Sequence, residues 1–193
     1  MNTLPKRIFF TGVPGSRWSG IAQSIESLDG FNVSDRTPDR EFNHIGFSGH
    51  KGAYFGTGME FDSFLNPTYL DSAWLETDGT RVVKSHDWAY KLGLIKEIFP
   101  EDWIMLVYRP DMASYTWWHE AGGFNIKYPN YKWYNNSTSM MSEIATQNRN
   151  ILEFACEKNL TWSYFTPQWI EQNFGQHTEI KHTWSDILVT LLK

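Results

Sequence analysis

Short apolar runs alternate with longer amphipathic segments along the chain. Three of these runs are bounded by glycine or polar residues: "RIFFTG" at 7–12, "RVVKS" at 81–85 and "DWIMLVYR" at 102–109. Runs of this kind are typical of strands that are buried on both faces of a parallel sheet. The segments "FNVSD" at 31–35 and "LTWSYF" at 160–165 predict two further strands.

The segments between the predicted strands have the periodicity of helices. In the first of them, apolar residues recur at Ile21, Ala22, Ile25 and Leu28, which form one stripe of a helix. Other segments carry residues that favour helix ends, such as Thr166 before a proline and a glycine at the far end. The predicted helices cover residues 19–28, 90–99, 110–122, 137–159 and 166–175.

Strands that alternate with helices predict an α/β fold with three layers, in which helices cover both faces of a central parallel sheet. The length of 193 residues suits a single domain over residues 1–193. Ligands of such sheets bind beyond the carboxyl ends of the strands. Those ends lie at Gly12, at residues 85–86 and at residues 109–110, so these three places are the candidate site.

Composition and charge exclude several classes of function. The net charge of −5 gives no basic field for nucleic acid, so none is expected as a partner. No apolar run is long enough for a membrane span or a signal peptide, which predicts a cytoplasmic protein without membrane contact. A single cysteine, Cys156, and six histidines without ligand spacing predict no disulfide and no metal site. The sequence does not indicate an oligomeric state.

The connection "TGVPGSRWSG" between the first strand and the first helix has the layout of a phosphate-binding loop. Backbone N–H groups and the helix dipole can hold an anion at such a turn without a basic side chain. Gly12 and Ser19 match the ends of the pattern G-x-x-x-x-G-K-[ST], but its G-K pair is replaced here. A tight turn that binds no ligand is the alternative. The candidate anion-binding residues are Gly15, Ser16, Arg17, Trp18 and Ser19.

The order of three motifs resembles that of the nucleotide-dependent sulfotransferases. "VVKSH" at 82–86 resembles the family's strand that ends in K-[ST]-H, and "LVYR" at 106–109 its strand that ends in arginine. "DMASY" at 111–115 resembles the start of the helix that follows. The resemblance implies a P-loop fold, the cosubstrate 3′-phosphoadenosine 5′-phosphosulfate (PAPS), and transfer of its sulfuryl group to a hydroxyl or an amine of an unidentified acceptor.

The resemblance also implies roles for individual residues. His86 would be the general base that takes the acceptor's proton, and Lys84 would neutralise the phosphosulfate bridge. Arg109 would hold the 3′-phosphate together with Ser114. Glu60 is an alternative base. For His86 a structural role at a strand end remains open, as does an exposed position for Lys84. Trp18 could stack on the adenine, line the acceptor pocket, or belong to the core.

The chain departs from the family at the loop, where Gly15 replaces the usual lysine or arginine and Arg17 supplies a cation two positions later. Three hypotheses follow. The first is a sulfotransferase, the second is a related protein that binds a nucleotide or a partner without turnover, and the third is a P-loop kinase of small molecules. Segments 36–79 and 122–137 are expected to be irregular and to line the acceptor, which they do not identify.

Overall fold

The structure is a computed structural model, and it describes residues 4–42, 53–54, 59–60, 62–125, 135–180 and 184–193. In this part of the chain, six strands form one mixed sheet in the order β4-β5-β1-β6-β8-β7. These strands are β1 (Arg7–Thr11), β4 (Met59–Glu60), β5 (Arg81–Ser85), β6 (Trp103–Tyr108), β7 (Ser163–Tyr164) and β8 (Leu188–Leu192). Two short strands, β2 (Glu41–Phe42) and β3 (Ala53–Tyr54), pair separately as an antiparallel ribbon.

The centre of the sheet is parallel, as the sequence predicts. β1 lies between β5 and β6, with Phe10 opposite both Lys84 and Met105. The predicted parallel sheet is confirmed only in part, because β8 runs antiparallel to β6 with Leu188 opposite Tyr108. An antiparallel strand toward the edge of an otherwise parallel sheet is common in α/β proteins. The pairing brings the start of β8 to the carboxyl end of β6.

Helices cover both faces of the sheet, which confirms an α/β arrangement of three layers. The long predicted helices are present, and one short helix at residues 67–71 was not predicted. Among the described residues, no helix is long and apolar enough to cross a membrane. The helices are α1 (Trp18–Glu26), α2 (Pro67–Asp71), α3 (Leu92–Ile98), α4 (Asp111–Glu120), α5 (Ser137–Glu157) and α6 (Pro167–Phe174), with short 3₁₀ turns at His86–Tyr90 and Gly123–Asn125.

Alternate residues of each central strand enter two separate cores. Phe9, Val83 and Leu106 pack with α3, α5 and the 3₁₀ turn after β5. Ile8 and Phe10 point the other way and pack with α1 and α6. Because side chains alternate along a strand, the two faces of one apolar run bury against different helices. The continuous apolar character of β1 and β6 is explained by this arrangement.

Two of the predicted strands differ from the structure. Residues 31–35 do not extend as a strand, and only Phe31 forms an isolated bridge, to Thr80. The side chain of Asn32 accepts a hydrogen bond from the N–H of Ser34 (2.9 Å), which turns the chain at this point. In the predicted strand 160–165, pairing is limited to Ser163–Tyr164.

The segment 36–79 contains short regular elements, although the sequence predicts irregular structure there. β2, β3, β4 and α2 all lie within it. The remaining parts of the predicted acceptor segments, residues 43–52, 55–58, 61 and 126–134, lie outside the described residues.

Candidate functional site

The loop from β1 to α1 closes on itself before the helix begins. The N–H of Ser16 donates to the carbonyl of Val13 (3.0 Å), and the N–H of Gly20 donates to that of Arg17 (3.1 Å). Arg17 is the N-cap residue of α1 in a left-handed conformation (φ 61°), and its side chain does not cap the helix. The start of α1 therefore lacks a cap from the side chain of its N-cap residue, and a helix N-terminus is a place where an anion can bind.

Gly15 lies directly against helix α4. Its φ of +78° is left-handed, and a Cβ atom built there would lie 1.9 Å from the carbonyl oxygen of Ser114. No side chain fits at this position unless the backbone of α4 moves. The contact gives the physical reason why the loop carries no lysine or arginine at residue 15.

The neighbouring Ser16 is fully buried, and its Oγ has no hydrogen-bond partner among the described residues. Its hydroxyl lies close to Gly12, where an added Cβ would be 2.8 Å away. An unsatisfied buried hydroxyl is unfavourable, so this atom is a donor available to a ligand in the loop.

Arg17 extends from the loop toward α4, where its guanidinium lies close to two tryptophan rings. The central carbon of its guanidinium is 3.4 Å from the ring centroid of Trp117 and 5.8 Å from that of Trp184. Its Nε is buried without a hydrogen-bond partner among the described residues. Burial, and secondly the charge of Arg109, lower the pKa of Arg17 from its ordinary value. Both effects indicate a cation that an anion would stabilise.

Arg109, at the end of β6, is tied to the same loop from the other side. Its Nη1 donates to the carbonyl of Gly15 (3.0 Å), while Nε and Nη2 both contact Oδ2 of Asp186 at 2.7 Å. Ser114 is buried, and its Oγ donates to the carbonyl of Arg109 (3.2 Å). Arg109 therefore reaches the predicted place, but in this structure its positive charge is balanced by Asp186.

His86, the residue after β5, joins the loop on the opposite side from Arg109. Its Nδ1 lies 2.5 Å from the carbonyl oxygen of Gly12. Trp18 stacks on its ring at 4.0 Å between centroids, and Phe10 lies beyond Trp18 at 5.7 Å. His86 and Trp18 are only 4% and 5% exposed. The indole of Trp18 is thus part of the packing around the imidazole.

Glu60 lies beside His86 at the end of β4. Its Oε2 is 3.7 Å from Nε2 of His86. Its backbone has a left-handed φ of 53°, and its carbonyl accepts a hydrogen bond from Oγ of Ser85 (2.7 Å). A strained conformation of this kind in a non-glycine residue is frequent at functional sites. The hydroxyl of Ser85 holds it in place.

Burial shifts the two titrating groups of this pair in opposite directions. Desolvation raises the pKa of Glu60 to about 7, against the attraction of Lys84 and Arg36. Desolvation lowers the pKa of His86 to about 3, although its bond to Gly12 opposes the shift. The imidazole is therefore neutral near pH 7, and its contact with Glu60 is not an ion pair.

Lys84 lies on the same side of the sheet as His86, as the alternation of β5 predicts. It is 6% exposed, so the alternative of a solvated strand lysine is wrong. It stands opposite Phe10 of β1, on which Trp18 stacks. Its charge acts on both Glu60 and His86.

The structure brings together the three strand ends that the sequence singles out. The carbonyls of Gly12 and Gly15 receive His86 and Arg109, respectively, and Ser19 lies in the first turn of α1. Sequence reasoning missed Trp117, Trp184 and Asp186. The apolar run "ILVTLL" at 187–192 fits a helix as well as a strand, so no clear sequence signal identifies β8 or the position of Asp186 beside Arg109.

Among the described residues, no group of three or more histidine, cysteine, aspartate or glutamate side chains is placed to hold a metal ion. Comparison of the chain with protein-family models, with curated proteins and with solved structures finds no match. The resemblance to sulfotransferases therefore depends on the residues of the loop and of the two strand ends that flank it.

Proposed function

We propose that the protein is a sulfotransferase that moves the sulfuryl group of PAPS to a hydroxyl or amine. In this reaction the acceptor's oxygen or nitrogen bonds to sulfur, the bond from sulfur to the phosphate oxygen breaks, and adenosine 3′,5′-bisphosphate leaves. The acceptor loses one proton to a base. The site must therefore hold an anion at two places and offer a base between the anion and the acceptor.

The observation that carries the proposal is the convergence of two strand ends on one loop. His86 bonds to the carbonyl of Gly12 and Arg109 to that of Gly15, from the two strands that flank β1. A cleft at the point where neighbouring strands diverge is the usual ligand site of an open α/β sheet. This arrangement supports the proposal, because His86 and Arg109 lie on either side of the loop between β1 and α1.

The loop supports the binding of the 5′-phosphosulfate. The N-terminus of α1, the buried hydroxyl of Ser16 and the guanidinium of Arg17 all lie there. Together they provide N–H and O–H donors and one full positive charge. Lys84 adds a second buried cation on the side of His86. In the proposed reaction it stabilises the negative charge that develops on the leaving phosphate.

His86 and Glu60 form the basic end of the proposed site. Because a carbonyl can only accept, the proton of His86 lies on Nδ1, which bonds to Gly12, and Nε2 keeps its lone pair. Nε2 and the carboxylate of Glu60 face one another across 3.7 Å. Either group can take the acceptor's proton, and Glu60, with a pKa of about 7, is the better matched to neutral pH.

A thermal-shift screen tests the binding step. Adenosine 3′,5′-bisphosphate should raise the melting temperature more than ATP or GTP does at the same concentration. A ligand at 100 times its Kd stabilises the folded state by about 2.7 kcal/mol, which such a screen resolves. A shift with ATP or GTP alone would instead favour the kinase hypothesis.

Incubation with PAPS and panels of alcohols, phenols and amines tests the transfer step. We expect release of adenosine 3′,5′-bisphosphate that depends on one class of acceptor and is accompanied by a sulfated product. Failure of every acceptor, together with tight binding of the bisphosphate, would leave a protein that binds the nucleotide without turnover.

That second function is favoured by two features of the site. Arg109 is held by both Gly15 and Asp186, and His86 is almost completely buried beneath Trp18. A protein that uses the loop only for binding would tolerate these internal contacts. An enzyme must open the contact to Asp186 when the 3′-phosphate arrives.

A further inference from the structure

We propose that Trp117 and Trp184 form an aromatic clamp that positions Arg17 as the cation of the anion loop. The clamp is defined as these two indole rings, whose centroids lie 3.4 Å and 5.8 Å from the central guanidinium carbon of Arg17. The inference rests on the anion-binding part of the proposed function. It assigns Trp117 and Trp184 as positioning residues that act through Arg17.

Position 15 cannot carry the basic side chain of the loop, so the positive charge must come from another residue. A side chain at Gly15 would collide with the carbonyl of Ser114. Arg17 is two residues later and adopts a left-handed conformation that turns its side chain away from the axis of α1 and toward α4. The long side chain can return a positive charge to the loop from there, but only if something fixes its direction.

The two indole rings supply that direction. A guanidinium at 3.4 Å from a ring centroid is in van der Waals contact with the face of Trp117. Trp184 contributes the second, more distant ring and also packs against Gly20 of α1, where an added Cβ would be 3.3 Å from its ring. A planar cation whose face lies against an aromatic ring can still donate hydrogen bonds from its edge, which is the geometry that phosphate and sulfate require.

The surroundings of Arg17 also suit the binding of an anion. Its Nε is buried without a hydrogen-bond partner among the described residues, and Oγ of Ser16 is in the same condition. Arg109 lies close enough to repel it electrostatically, while Asp186 and Glu120 attract it only weakly by comparison with burial. A bound anion would satisfy these donors and relieve the repulsion between the two arginines.

The first test compares two substitutions of Trp117 in the full chain. Trp117→Leu keeps apolar bulk without a π-face, whereas Trp117→Phe keeps a smaller π-face. The probe is inorganic pyrophosphate, measured by calorimetry. We expect Trp117→Leu to raise its Kd by roughly 3- to 30-fold and Trp117→Phe to recover most of the affinity, in proportion to the strength of a cation–π contact. Arg17→Gln should lose at least as much affinity as Trp117→Leu.

Trp74 provides the matched control, because its ring also lies near an arginine. The ring centroid is 5.6 Å from the guanidinium carbon of Arg81, which begins β5 at the end opposite to Ser85. Trp74→Leu should lower the melting temperature without changing the Kd for pyrophosphate. If Trp117→Leu binds pyrophosphate as tightly as the wild type, the clamp is refuted while anion binding stands. If pyrophosphate binds in a clamp-dependent manner but PAPS is never turned over, the clamp stands and the sulfotransferase proposal fails.

A second measurement is independent of any ligand. Protons above an indole face resonate upfield, so the Nε–H signal of Arg17 should be shifted upfield in the ¹⁵N spectrum and absent from Arg17→Gln. Trp117→Leu should return this signal to the ordinary arginine position, and Trp74→Leu should not move it. An Arg17 signal at the ordinary position in the wild-type protein would overturn the clamp, as would a wild-type protein that binds neither pyrophosphate nor adenosine 3′,5′-bisphosphate.

Discussion

The imidazole of His86 donates a hydrogen bond from Nδ1 to the carbonyl of Gly12 across 2.5 Å, and this bond joins the ends of β5 and β1. The bond fixes the tautomer in which the proton lies on Nδ1, and it directs Nε2 toward Glu60. In the proposed reaction, one ring therefore combines a structural role at Nδ1 with the role of a base at Nε2.

Substitution of His86 can separate these two functions. In His86→Asn, the amide can still donate to the carbonyl of Gly12, but the base at Nε2 is gone. We expect turnover to fall by roughly 10²–10⁴-fold, the usual contribution of a positioned acid–base group. The affinity for adenosine 3′,5′-bisphosphate should change little. Steady-state kinetics and calorimetry on the same preparation measure both quantities.

His86→Ala is the control for the structural part. It also leaves the buried carbonyl of Gly12 without a donor, so the free energy of unfolding should fall by about 1–3 kcal/mol relative to His86→Asn. Full turnover in both variants would remove His86 as the base. Glu60 would then be the remaining candidate, to be tested with Glu60→Gln.

A side chain at Gly15 should be poorly tolerated because of its contact with Ser114. Gly15→Ala combines left-handed strain, about 1–2 kcal/mol, with overpacking against the backbone of α4, typically about 1–3 kcal/mol. Gly175→Ala has nearly the same φ (+70°) but open space around the added Cβ, so only the first effect applies. Urea unfolding should show that Gly15→Ala loses more stability than Gly175→Ala. Equal losses would mean that α4 moves aside readily, and Gly15→Lys could then supply the missing cation.

The pH dependence of stability should reveal the opposed pKa shifts of Glu60 and His86. Glu60 binds its proton more tightly in the folded state, so its contribution to stability falls as pH rises from about 4.5 to about 7. His86 binds a proton more tightly in the unfolded state, so its contribution increases as pH rises from about 3 to about 6.5. In the wild type these slopes oppose each other in the shared range.

Substitution of either Glu60 or His86 should reveal the contribution of the other residue to the pH dependence of stability. Between pH 4.5 and 6.5, the free energy of unfolding of Glu60→Gln should increase with pH more steeply than that of the wild type. In His86→Asn it should increase less steeply or decrease. Urea unfolding at a series of pH values measures the slopes, and a single group contributes at most about 1.4 kcal/mol per pH unit. Identical slopes in all three proteins would contradict the opposed shifts.

The same shifts change the expected pH profile of activity. With the ordinary pKa of histidine, activity would fall on the acidic side as His86 becomes protonated. Inside this site His86 stays neutral down to low pH, whereas Glu60 becomes protonated near pH 7. We therefore expect the acidic limb of kcat/KM to be absent in Glu60→Gln and present in His86→Asn, at reduced rate.

The contact between Arg109 and Asp186 allows a test of the proposed 3′-phosphate site. Arg109→Ala should weaken the binding of adenosine 3′,5′-bisphosphate more than the binding of adenosine 5′-phosphate. We expect a difference of roughly 10- to 100-fold in Kd, because charged hydrogen bonds are lost. Asp186→Asn removes the carboxylate that competes with the 3′-phosphate for Arg109, so the Kd for adenosine 3′,5′-bisphosphate should fall. Calorimetry measures both. Equal losses for the two nucleotides in Arg109→Ala, or weaker binding in Asp186→Asn, would show that Arg109 instead serves to hold the loop.

Much of the scaffold could be predicted because its signals are local. The apolar runs of β1, β5 and β6 and the stripe of α1 are short-range patterns, and Thr166 caps α6 where the sequence places it. β4 and β8 have no comparable signal. β4 has only two residues, and β8 is a short apolar run that fits a helix as well as a strand. Their pairing is decided by the edge of the sheet that receives them.

The sequence by itself determined which residues could carry chemistry: the loop after β1, Lys84 and His86 at one strand end, and Arg109 at another. Only the tertiary structure decided which contacts these residues make. The carbonyl of Ser114, a residue 99 positions away in the chain, leaves no room for a basic side chain at position 15. The ring of Trp117 contacts the guanidinium of Arg17, which we propose orients it. The pKa of His86 depends on burial. Contacts and desolvation depend on partners that are distant in sequence, whereas periodicity and caps depend only on neighbours.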